Sequence, residues 1–236
     1  MARTESPKLK FKERIVLELN QIEDLILRLE NRPATQMAVY LALYTGMRRG
    51  EICGLQWRNV DWSRQTIYIA QQRLRIKKED HLTQTKTAGS MRPVPVSFDV
   101  INKLAEWRRQ QVSSNPDDLV IRHPNGGIPD PHTITSEFRK LVNQLGYIGY
   151  TFHDLRHAHA TLLLKGKVPM KVVSERLGHS STIVTANVYS HVTETMQQEA
   201  VNVFDQVVAA ERAKNKNETN NEFATNLQPD TTAPKK

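Results

Sequence analysis

A chain of 236 residues is long enough to bury one large core or two small ones, and its formal charge of +8 points to a polyanionic partner. A lone cysteine, Cys53, cannot form an internal disulfide, which fits a reducing cytoplasm, and neither a membrane-spanning apolar run nor a secretory signal is present. From Ala213 to Lys236 four lysines face Glu218, Glu222 and Asp230, a net charge of 4 − 3 = +1, so the excess belongs to the part expected to fold.

Residues 1–12 are polar and basic without apolar periodicity and read as a flexible lead-in or linker remnant. Leu17, Ile22, Leu25, Ile26 and Leu29 then recur at helical spacing and predict an amphipathic helix. Thr35 to Tyr44 is apolar nearly all round, the mark of a helix buried in a core. Behind it comes a turn, Thr45-Gly46-Met47-Arg48-Arg49-Gly50-Glu51, and a short helix through Leu55. The buried helix fixes that charged turn rigidly. Alternation and β-branched residues from Thr66 to Arg75 predict a strand, while Leu82 to Thr87 and Met91 to Val96 predict a hairpin turning at Ala88-Gly89. Together these make one small three-stranded antiparallel sheet. Phe98 to Val112 reads as a helix, and after a His-Pro-Asn-Gly-Gly loop Asp130 caps another, with Pro131 at its first position and Gly146 as its stop. The fold class is therefore α+β, mainly α-helical.

Thr151 to His191 concentrates the chemistry, with five of the eight histidines. Thr151 and Asp154 fit a capping box, which places His153 and Arg156 on one face of a helix closed by Gly166. Pro169 opens the next helix and Gly178 ends it, leaving His179 just past the terminus. Ser180 or Ser181 caps a third helix carrying Tyr189. A last amphipathic helix, 193–212, sets Met196, Ala200, Val203, Phe204 and Val207 on one face, and the Asn- and Thr-rich residues 213–236 read as a disordered tail.

Each of these residues admits two readings. Arg48 is either a solvated arginine or a planar fork for phosphate oxygens, and Glu51 one turn later pairs with an arginine to aim it. His153 and Arg156 are a satisfied structural pair or a joint seat for one phosphate. His153 and His157, four apart, also match a zinc-binding spacing to which His179 or His191 could add a ligand; Asp154, spent on capping, and the nearby Arg156 cation disfavour it. His179 suits a helix C-cap, Tyr189 a packing position, and Lys86 a solvated turn.

Taken in order, TGMRRGE, TKTAGSMRPVP, HDLRH, LGHSS and a tyrosine ten residues later, the chain resembles the catalytic domain of tyrosine site-specific recombinases, closest to the integrases of phages and conjugative transposons. The resemblance runs over residues 13–212. It implies that Tyr189 is the nucleophile, that Arg48, Lys86, His153, Arg156 and His179 complete the catalytic set, and that Glu51 supports Arg48. Lys77 and Lys78 compete for the role of Lys86.

The implied reaction is attack of the Tyr189 phenolate on a DNA phosphate, giving a 3′-phosphotyrosine and a free 5′-hydroxyl, with no cofactor and no metal. The implied partners are double-stranded DNA carrying attachment or recombination sites, three further copies in a homotetramer on DNA with a monomer in isolation, and accessory DNA-bending or directionality proteins; no membrane is involved. The location is the cytoplasm of a bacterial host. Only 47 residues precede Arg48, so the core-binding and arm-binding domains usual in the family are expected to lie outside this chain. Helix 193–212 is expected to dock on a neighbouring protomer. The competing functions are a type IB topoisomerase-like nick and reseal, and a DNA-binding module in which Tyr189 merely packs.

Overall fold

The computed structural model describes residues 17–76, 79–84 and 91–179, together with 201, 204 and 206–208. Its contacts divide the chain into two units, 1–188 and 189–236. Residues 201, 204 and 206–208 of the second unit are helical, and Val201, Phe204 and Val207 are exposed. The first unit holds the helices and strands that build the hydrophobic core.

Helix α1 (Leu19–Leu27) buries Ile22 and Leu25 on its apolar stripe, with Leu17 and Leu29 buried just beyond its ends. Helix α2 (Pro33–Thr45) starts on a proline, where the missing amide costs nothing, and buries nine of its thirteen residues. Complete burial of one such leucine, Leu41 for example, stabilises the fold by ~2 kcal/mol. α2 ends at Gly46, which adopts the left-handed conformation at φ 68°. Helix α3 (Arg49–Gly54) follows at once and leads through a 3₁₀ turn (Trp57–Asn59) into the strands.

The sheet departs from the sequence expectation. The stretch read as one strand is broken at Ala70 into β2 (Thr66–Ile69) and β3 (Gln71–Ile76). β2 lies between β1 (Val60–Asp61) and β5 (Arg92–Pro95) in a three-stranded antiparallel sheet, while β3 pairs with β4 (Glu79–Gln84) as a separate ribbon. The expected pairing of the Leu82 segment with the Met91 segment is therefore replaced by two others, Leu82 with Arg73 and Val94 with Ile67. Burial decides it. β5 sets Arg92 and Val94 inward and Pro93 and Pro95 outward, and the inward face fits against Ile67 and Ile69 of β2. The residues of the expected Ala88-Gly89 turn lie outside the described residues.

Helix α4 (Phe98–Arg109) buries Val100, Ile101, Leu104 and Trp107, and the Trp107 indole N–H donates to the Val120 carbonyl at 2.7 Å. Helix α5 (Pro131–Gln144) begins as expected, with the Asp130 carboxylate accepting from the His132 amide at 2.8 Å. Phe138 of α5 meets Phe152 edge to face, centroids 5.8 Å apart, which ties α5 to helix α6 (Phe152–Lys165). At the start of α6 both the amide and the hydroxyl of Thr151 donate to the Asp154 carboxylate at 2.7 Å. Helix α7 (Met170–Leu177) closes the described unit and ends on Gly178 at φ 68°. Among the described residues no helix is long and apolar enough to cross a membrane.

Candidate active site

The site is built around the C-terminal end of α7. The last carbonyls of a helix have no partner within it and carry partial negative charge. Here the Ser174 carbonyl accepts from the His179 amide at 3.0 Å, and the next three after Glu175 are taken by three different arginines. Arg92 Nε donates to the Arg176 carbonyl at 2.7 Å, Arg156 Nη2 to that of Leu177 at 2.7 Å, and Arg48 Nη2 to that of Gly178 at 3.0 Å. Residues 48, 92 and 156, remote in the chain, are thus brought together by one helix end.

Arg156, on α6 and buried, is fixed a second time by Nη1 donating to the Gly46 carbonyl at 2.6 Å. Gly46 has to be glycine: a Cβ there would stand 2.6 Å from His159 Cδ2 and 2.8 Å from Leu177 Cδ2, on a backbone at φ 68°. Arg48 caps α3. Its amide donates to Glu51 Oε2 at 2.7 Å and its Nη1 to Oε1 at 2.9 Å. The expected pairing of Glu51 with an arginine is found twice, because Arg92 also spans both carboxylate oxygens at 3.1 and 3.0 Å. Burial alone would raise the Glu51 carboxyl, but the hydrogen bonds and charge of Arg92, then those of Arg48, hold it below the usual range. Arg92 and Glu51 are both buried; the Arg48 side chain keeps 37% of its surface.

His153 is exposed in the first turn of α6, its ring edge to face with that of His157 at 4.8 Å between centroids. Among the described residues no three His, Cys, Asp or Glu side chains are grouped to hold a metal ion. His191, one of the third ligands weighed for zinc, lies outside the described residues. His153, Arg48 and Arg156 line one cleft of about 510 Å³, walled by Gly50, by Gln72 and Leu74 of β3, and by His132, Thr135 and Arg139 of α5. His179 is half-buried beside them, its imidazole pushed down to about 4 by burial and then by the charges of Arg156, Arg48, Arg92 and His153. A neutral imidazole still offers one N–H.

Two of the residues singled out in the sequence, Lys86 and Tyr189, lie outside the described residues. Three others escaped the sequence reading: Arg92, His159 and Arg176. Buried His159 presents Nδ1–H to the Leu43 carbonyl at 2.7 Å and accepts at Nε2 from Arg176 Nε at 3.0 Å, a tautomer set by those two partners. Arg176 also donates to the Pro95 carbonyl at 2.8 Å. The signal for Arg92 was present in its alternation with Val94, which puts an arginine on a core-facing strand position.

A cleft of fixed guanidinium and imidazole groups has the charge and hydrogen-bond donors that suit a tetrahedral anion. The Phage integrase family matches residues 16–196. This chain belongs to that family. Among relatives, the XerC-like tyrosine recombinase of Caldanaerobacter subterraneus subsp. tengcongensis is 30% identical over 181 residues, covering 68% of this chain and 46% of the relative. The integrase of Staphylococcus phage L54a is 30% identical over 207 residues, covering 80% and 58%. The chain thus spans about half the length of the curated integrases it matches. Among solved structures, a Tn1549 transposon integrase bound to transposon right end DNA superposes with a TM-score of 0.68 at 19% identity, over 80% of this chain and 67% of that one. The XerA recombinase gives 0.61 at 21% identity, over 83% and 66%. These likenesses establish the fold, the mainly helical α+β catalytic domain of tyrosine recombinases.

Proposed function

We propose that this chain is the catalytic region of a site-specific DNA recombinase, an integrase that cleaves and rejoins strands through a 3′-phosphotyrosine and so integrates or excises a mobile element. The observation that carries the proposal is the anchoring of Arg48 and Arg156 on adjacent carbonyls, those of Gly178 and Leu177, at one cleft shared with His153. Both guanidiniums are held in place before any substrate arrives. Attack on a phosphodiester builds charge on the non-bridging oxygens, and donors already aimed at that charge stabilise it without reorganising.

In the proposed step the Tyr189 phenol passes its proton to His153 as its oxygen bonds phosphorus. The P–O5′ bond breaks, and the leaving oxygen takes a proton from Lys86. The His179 N–H donates to a non-bridging oxygen. Bond energy is kept in the phosphotyrosine, and a 5′-hydroxyl from a partner strand reverses the step onto the new duplex. The substrate is double-stranded DNA in the cytoplasm, handled by a homotetramer with accessory DNA-bending proteins and without a cofactor. The exposed Val201, Phe204 and Val207 support docking of the last helix expected from the sequence, of which residues 201, 204 and 206–208 are described, on a neighbouring protomer.

The test uses nicked suicide duplexes with randomised sequence around a fixed nick, incubated with the chain in EDTA. Denaturant-resistant protein–DNA adduct is expected from the wild-type chain and none from Tyr189→Phe. An adduct that survives Tyr189→Phe, or that forms only with a divalent metal, would overturn the proposal. Relaxation of supercoiled DNA without strand exchange between two duplexes would replace it by a topoisomerase.

A further inference from the structure

The arginine that the reaction above does not use, Arg92, is the one of the three on the α7 terminus that does not line the cleft. It is buried, it lies under Gly178, where an added Cβ would stand 2.7 Å from Arg92 Nη1, and it bonds the Arg176 carbonyl and both oxygens of Glu51. A buried carboxylate is tolerated only when matched by positive charge. Glu51 has two candidates to match it, and they differ in exposure: Arg92 is nearly closed off from solvent and Arg48 is open to the cleft.

We infer that Arg92 is a positioning residue of the recombinase site: by neutralising Glu51 it lets that carboxylate aim Arg48 without cancelling the Arg48 charge. The inference rests on the recombinase reading above. Counting Arg48, Arg92 and Arg156 against Glu51, the cluster carries 3 − 1 = +2 toward an incoming phosphate. Without Arg92 it would carry 2 − 1 = +1, and the Glu51 charge would fall on Arg48 alone. The Arg48 guanidinium would then be held as half of a closed ion pair. Removing Glu51 as well restores 2 − 0 = +2, which sets apart a charge-balancing role from a merely structural one.

The experiment follows single-turnover adduct formation at saturating duplex, using a nicked duplex recovered from the randomised pool, with duplex affinity and thermal unfolding measured alongside. Arg92→Gln is expected to slow adduct formation on the order of tenfold to a hundredfold, the range seen for groups that orient the residues in direct contact. Duplex affinity should change far less. Adding Glu51→Gln to Arg92→Gln should recover part of the lost rate, and Arg92→Lys, which keeps the charge and loses the fork, should fall between wild type and Arg92→Gln. A wild-type rate in Arg92→Gln, or a double variant no faster than the single one, overturns the inference. If Arg92→Gln does not fold, the comparison passes to Arg92→Lys and to the double variant, where a double variant slower than Arg92→Lys by the full hundredfold overturns it equally. Absence of adduct from the wild-type chain would instead remove the recombinase reading, and this inference with it.

Discussion

His159 and His179 show how burial and neighbouring cations select a protonation state. His159 is pushed down to about 4, chiefly by burial and then by Arg176, and His179 to about 4 by burial and the surrounding arginines and His153. Both folded values lie below the ~6.5 of an unfolded histidine, so folding favours the neutral rings. Their stabilising contribution is complete above ~6.5 and is lost as the pH falls toward the folded value. We expect the His159 ring protons, followed by NMR, to titrate near 4, with the unfolding midpoint in denaturant declining over the same window. Titration near the ordinary value would contradict the buried two-partner arrangement. Arg48, Glu51, His153, Arg156 and His179 could be picked out from the sequence because the family motifs isolate them. His159 and Arg176 could not, since each acts through a carbonyl or a side chain far away in the chain, and Arg92 left only its core-facing alternation with Val94 as a trace.

Helix ends, rather than helix bodies, position the site. Gly46 and Gly178 each take a left-handed backbone, and their carbonyls receive Arg156 and Arg48. Gly46→Ala forces a Cβ against His159 and Leu177 at positive φ, and is expected to destabilise the fold by more than ~1 kcal/mol while slowing adduct formation through Arg156. Unchanged stability in chemical denaturation would show that the close approach is relieved cheaply. The helices were readable because their signals are local: the all-round apolar run from Thr35 to Tyr44, Asp130 and Pro131 at a start, Thr151 with Asp154 in a capping box, Gly178 at a stop. The sheet was harder because pairing is not local. Ala88-Gly89 offers turn chemistry, yet β5 goes to β2, whose Ile67 and Ile69 bury Val94, and β4 goes to β3.

The molecule as a whole carries +8, and the excess belongs to the part that holds the cleft. Contacts from lysine and arginine to phosphate release counterions, so the affinity for duplex DNA should fall with salt at a logarithmic slope of about −0.9 for each phosphate neutralised. Filter binding over a range of salt concentrations checks this, and a flat dependence would contradict phosphate-led binding. Membership of the phage integrase family and the shared fold agree with that charge.

The proposed role of Arg48 is to serve the negative charge built on a phosphate during attack. It is tested by comparing two duplexes that differ only in the scissile linkage, one with the ordinary phosphate and one with a neutral methylphosphonate. Arg48→Ala is expected to slow adduct formation on the phosphate duplex by about a hundredfold, and by far less on the neutral one, where one anionic oxygen and one unit of the transition-state charge are removed. An equal loss on both would mean that Arg48 holds the fold or the DNA and takes no part in the chemistry.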